Sequence, residues 1–87
     1  MHEHGLIRDL LSQIKTVATD NGVDRVAGVT VRLGALTAIS ADHFREHFVE
    51  ATHEGIAAHA KLTVIEDQNI LDPRAHEIVL DAVEIEA

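Results

Sequence analysis

The chemically richest stretch of this chain is its beginning, Met1-His2-Glu3-His4. A chain end carries an amine with a reference pKa of about 7.7–8.0. Beside it lie the His2 imidazole and the backbone nitrogens of His2 and Glu3. Amide nitrogens normally keep their protons, but a metal anchored on an adjacent amine or imidazole can displace them. Four nitrogens in a plane suit nickel(II) or copper(II), whereas zinc, with no d-electron preference, gains little from that arrangement. Methionine is expected to stay at position 1, because histidine is a bulky second residue for the enzyme that trims it. The opposing reading is a plain polar terminus, of the kind that is often poorly ordered.

Seven of the 87 residues are histidine. His43 and His47 lie four apart, a spacing that puts both on one helix face and can clamp a metal. No carboxylate motif accompanies them in the manner of a zinc protease. They flank Phe44 and Phe48, so a solvated helix edge is the simpler reading. His53, His59 and His76 are isolated and read as surface residues, although His76 is placed to offer an outside nitrogen to a metal at the chain start.

Other chemistries are excluded more firmly. The chain has no cysteine, so disulfides, thiolate zinc sites and cysteine nucleophiles are out. It shows no glycine-rich phosphate loop, Gly-x-Ser-x-Gly elbow or paired-carboxylate motif. One small domain also has little room for an enclosed pocket, so no enzyme is expected. Fifteen acidic against seven basic residues give a net charge of −8, which repels phosphate backbones and anionic membranes. Neither nucleic acid nor membrane is an expected partner. No apolar run approaches the roughly 18 residues of a membrane span, and the polar start does not read as a signal peptide. The expected location is the cytoplasm.

The elements that must position these residues follow from periodicity. Leu6, Ile7, Leu10, Leu11, Ile14, Val17 and Ala18 recur at helical spacing and predict a helix from Gly5 to Asp20, stopped by Asn21-Gly22. Val29, Val31 and Leu33 alternate with Thr30 and Arg32 as a half-buried strand ending at Gly34. Ser40 is a fitting cap, with Asp42 in the first turn, for a second helix from Ala41 to Glu54 that turns Phe44, Phe48 and Ala51 inward. Lys61 to Glu66 reads as a strand, Asp67 to His76 as a connector around Pro73, and Glu77 to Glu86 as a last strand. In that strand Ile78 and Leu80 are out of phase with Val83 and Ile85, which predicts a bulge near Asp81-Ala82. The expected fold is α/β (α+β): two helices packed on one face of a three-stranded, mainly antiparallel sheet. Leu10, Ile14, Val31, Phe48, Val64 and Val83 form the expected core of a single domain spanning residues 1–87.

On these residues the chain resembles the HypA/HybF family of nickel metallochaperones. The shared features begin with Met1-His2-Glu3 ahead of a helix carrying Leu6, Leu10 and Ile14. They continue through Asn21-Gly22, Arg25-Val26, Gly34-Ala35-Leu36, Phe44, Phe48 and Thr52. Lys61 to Glu66 and Val83 to Glu86 complete the likeness. The resemblance implies a protein that binds nickel(II) at Met1, His2 and Glu3 and assists its insertion into a metalloenzyme such as a nickel–iron hydrogenase. The implied partners are a maturation GTPase and a nickel-enzyme precursor. The fourth ligand stays open among the Met1 amine, His4 and His76, and self-association into a homodimer stays open as well. The family carries a zinc domain built on two Cys-x-x-Cys pairs between its last two strands; here only residues 67–76 occupy that place, so no structural zinc is expected. His4 and Glu46 stand where the family more often has apolar residues. The alternative is a HypA-like interaction or regulatory paralogue that no longer delivers nickel.

Overall fold

A computed structural model of the chain describes the backbone of residues 3–85 and the side chains of residues 5–85. The first helix, α1, spans Glu3–Asp20 and buries Ile7, Leu10, Ile14 and Ala18 along one stripe. It stops where the sequence says it should. Gly22 takes a φ of 68°, which costs glycine nothing. The Val23 N–H then reaches the Ala18 carbonyl at 3.0 Å, and the Gly22 N–H reaches Thr19 at 3.0 Å. The Asn21 side-chain amide donates to the Val17 carbonyl at 2.7 Å. The carbonyls of Val17, Ala18 and Thr19 in the last turn are thereby satisfied.

Strand β1 spans Val26–Leu33, three residues earlier in its start than the alternation alone marks out. It is the central strand, in the order β2-β1-β3. Strand β2, Lys61–Glu66, pairs with it in parallel, and strand β3, Ile78–Ile85, pairs antiparallel. The parallel pairing exists because helix α2, Ala41–Ala51, lies between β1 and β2 and carries the chain back. The antiparallel ladder is the longer of the two, from Val26 to Leu33 against Gly28 to Leu33.

Both helices cover the face presented by Val29, Val31 and Leu33, which are buried with Phe44, Phe48 and the α1 stripe. Fully burying a side chain of this size contributes roughly 1.5–3 kcal/mol. Val64 and Val83, expected in the core, are half-buried and pack against it, because β2 and β3 are edge strands. The bulge in β3 is where the phase break predicts it: Thr30 pairs with Ala82 and Val31 with Leu80, leaving Asp81 as the extra residue. Ile78, Leu80, Val83 and Ile85 thus share the core side. Asp81 is freed to meet Arg32 at 3.3 Å on the other face.

One boundary is corrected. Helix α2 ends at Ala51 rather than Glu54, and Ala51 is exposed rather than inward. Thr52 is the cause: its hydroxyl donates to the Phe48 carbonyl at 2.7 Å, and its N–H is shared between the Phe48 and Val49 carbonyls. Buried there, it closes the helix a turn before Gly55.

The topology has a directional consequence. The crossover makes α2 antiparallel to β1, and α1, which turns into β1 through residues 21–25, is antiparallel to it as well. Both helices therefore begin at one end of the sheet, where β1 and β2 finish and β3 starts.

Candidate metal centre

At that end, the start of α2 is fixed by a cap. Ser40 has extended backbone geometry (φ −77°, ψ 158°), and its Oγ accepts the His43 N–H at 3.1 Å. Asp42 in the first turn complements the positive end of the dipole. Phe44 and Phe48, 0% and 2% exposed, set the rotation of the helix about its axis. The Arg45 guanidinium, donating to the Leu62 carbonyl at 3.0 Å, holds the helix against β2.

With the axis so fixed, His43 and His47 share a flank. Their Nε2 atoms stand 2.9 Å apart, with ring centroids at 4.6 Å and planes tilted by 48°. His43 is exposed; His47 is half-buried in an open groove between the helices, whose walls are Ile7, Arg8, Leu11, Glu50 and Ala51. The four-residue spacing placed both rings on one face, but only the structure shows them in contact.

The remaining histidines separate by position. His53 Nδ1 lies 3.1 Å from the Glu50 carbonyl, beyond the C-terminal end of α2. His59 is exposed in the turn before β2. Both are at the far end of the sheet. His76 is exposed on the β2–β3 connector, at the end where the helices begin. That connector is pinned rather than loose. Asp67, Asn69 and Asp72 each accept a backbone N–H two residues on. Gly34 N–H donates to the Glu77 carbonyl at 2.9 Å, and Leu36 N–H to the Ala75 carbonyl at 2.8 Å.

Among the described residues no group of three His, Asp or Glu side chains converges to hold a metal. The expected ligands Met1 and His2, and the side chain of Glu3, lie outside the described residues. No helix among the described residues is long and apolar enough to cross a membrane.

The fold is that of a small α+β domain with a histidine pair on one helix flank and no cysteine in its sequence. The chain belongs to the HypA family: the family model described as hydrogenase/urease nickel incorporation, metallochaperone, hypA, matches residues 1–74. A hydrogenase maturation factor HypA from Rhodopseudomonas palustris (strain BisB5) is 34% identical over 65 residues, which cover 75% of this chain and 58% of the relative. The factor of the same name from Chloroflexus aurantiacus is 33% identical over 66 residues, 76% of this chain and 58% of its own length. That from Francisella philomiragia is 30% identical over 77 residues, 88% of this chain and 68% of the relative. The match therefore spans little more than half the length of the first two relatives. In fold, the chain is similar to the solution structure of the Ni metallochaperone HypA from Helicobacter pylori. The TM-score is 0.81 at 19% identity, covering 100% of this chain and 99% of the other.

Proposed function

We propose that this chain is a nickel(II) metallochaperone that holds its cargo at Met1, His2 and Glu3 and passes it to a metalloenzyme such as a nickel–iron hydrogenase. The observation that carries the reading is the family match, which begins at residue 1 and so takes in Met-His-Glu together with the helix behind it. His2 supplies its imidazole and main-chain nitrogen, Glu3 its main-chain nitrogen, and the Met1 amine the fourth donor. His4 and His76 are the competitors for that fourth place. The Glu3 carboxylate stays off the metal and orients His2.

In this reading residues 1–87 act as one HypA-like nickel-binding domain, with the pinned connector in place of a cysteine zinc module. There is no structural zinc, and the core is held by apolar packing alone, so the melting temperature is unchanged in strong chelator. The protein works in the cytoplasm, without catalysis of its own, alongside a maturation GTPase and the precursor of the nickel enzyme.

Nickel titration of untagged protein, followed by calorimetry and visible absorption, tests the site. One tight equivalent is expected, lost in His2→Ala because the anchoring imidazole is gone while amide protons must leave. A short N-terminal extension weakens binding, since the Met1 amine becomes an amide. Tight binding retained by His2→Ala overturns the assignment. A parent protein with no nickel above background points instead to an interaction or regulatory paralogue.

A further inference from the structure

We propose that His43 and His47 form a second, weaker site on α2 for a late first-row divalent cation that favours right-angle ligand geometry, nickel(II) or copper(II). The geometry of the pair carries this. With metal–nitrogen bonds of about 2.0–2.1 Å, two nitrogens at a right angle sit about 2.9 Å apart, and at a tetrahedral angle about 3.3 Å. The observed Nε2 separation is 2.9 Å. That separation is a hydrogen-bonded one, from which small ring rotations bring both nitrogens to adjacent corners of a square or octahedron, where nickel(II) and copper(II) are at home.

The pair is also held in place before a metal arrives. His47 is half-buried in the groove that Ile7, Leu11 and Ala51 also line. The Ser40 cap fixes the backbone at His43. In the metal-free state one ring donates an N–H to the lone pair of the other across the 2.9 Å gap. Metal binding needs both Nε2 lone pairs, so the donor ring gives up its Nε2 proton, to its own Nδ1 or to solvent, as the metal enters. A small rotation of each ring then aims both lone pairs at a common point.

The pair supplies two ligands, and among the described residues no group of three His, Asp or Glu side chains converges to add a third. This makes the site weak and exchangeable. The surrounding charge is mixed: Asp42, Glu46 and Glu50 on the same helix attract a cation, and Arg8 across the groove opposes it. The overall charge of −8 favours capture.

The test begins with His2→Ala, which silences the proposed chain-start site. Titrated with nickel(II) alone, this variant is expected to bind one weaker equivalent. Adding His43→Ala or His47→Ala is expected to weaken that equivalent by about tenfold or more, because the second imidazole no longer acts at high effective concentration. The ring signals of His43 and His47 are expected to broaden in nuclear magnetic resonance spectra before those of His53 and His59. Both substituted side chains lie on the helix flank outside the core, so circular dichroism should show the fold intact. If the His2→Ala variant binds no nickel, or binds it equally with His43 and His47 both changed to Ala, the proposal is overturned. So it is if His53 or His59 broadens first. A parent protein that shows only the weaker, His43-dependent equivalent supports this site and overturns the chain-start one, so the two readings fail separately.

Discussion

The two helices cover the same face of the sheet and solve the task differently. Helix α1 spreads its burial over Ile7, Leu10, Ile14 and Ala18, a continuous aliphatic stripe along 18 residues. Helix α2 has 11 residues and buries only Phe44 and Phe48, whose rings pack with centroids 5.8 Å apart. Two large anchors one turn apart need a narrow strip of helix surface. The flank beside them is therefore available for polar side chains, and there His43 and His47 meet. In α1 the wider stripe and its half-buried neighbours Leu6 and Leu11 are committed to the core. Concentrating burial in two aromatic groups leaves a short helix with a polar flank beside its packed one.

If that contrast is right, the largest effect belongs to the anchors of α2. Phe48→Ala should cost about 3–5 kcal/mol, and Leu10→Ala in α1 about 2–5 kcal/mol with its neighbours sharing the cavity. Chemical denaturation of both variants measures the difference. Equal losses would show that α2 depends on its anchors no more than α1 does on one aliphatic residue among four. Hydrogen exchange should further show α2 amides opening in Phe48→Ala while those of α1 keep their protection.

Next in size is the segment that delivers the chain to α2. A Cβ on Gly34 would run into the backbone carbonyls of Arg74 and Ala75, which have no side-chain freedom with which to yield. Gly34→Ala is therefore expected to cost about 1–3 kcal/mol. Gly28 is the control, because its added Cβ would meet the Glu84 side chain at 3.1 Å, a group that can swing into solvent. Thermal denaturation should rank Gly34→Ala well below Gly28→Ala.

Most of this architecture was legible in the sequence, for local reasons. The α1 stripe, the Asn21-Gly22 stop, the Ser40 cap and the β3 phase break are each written in residues close to one another in the chain. Three features were not. The end of α2 at Ala51 depends on Thr52 being buried, which is a tertiary fact. The parallel β1–β2 pair follows from where the crossover lands, and the reduced burial of Val64 and Val83 from which strands lie at the edges. The candidate site divides in the same way. Spacing put His43 and His47 on one face, but the 2.9 Å approach of their nitrogens depends on side-chain rotamers, which spacing does not fix. The weight given to Met1, His2 and Glu3 came from ligand chemistry and family resemblance, neither of which depends on packing.

The smallest expected effect is at Ser40, and it separates the two helices most sharply. The Ser40 Oγ satisfies the His43 N–H, one of the donors left open in the first turn of α2. Ser40→Ala should cost about 1 kcal/mol, within the range of a lost helix cap. The core need not change, because Phe44 still donates its N–H to the Ser40 carbonyl at 2.9 Å and its ring stays buried. What loosens is the turn bearing His43, whose ring must stay beside His47 for the pair to chelate. In the His2→Ala background, Ser40→Ala should therefore weaken nickel binding at the His43–His47 pair by a few-fold, with the fold unchanged by circular dichroism. Ser40→Asp, an equally good cap that also adds a carboxylate at the helix start, should restore the affinity. If Ser40→Ala binds nickel as the His2→Ala protein does, the cap adds only stability and does not position the pair.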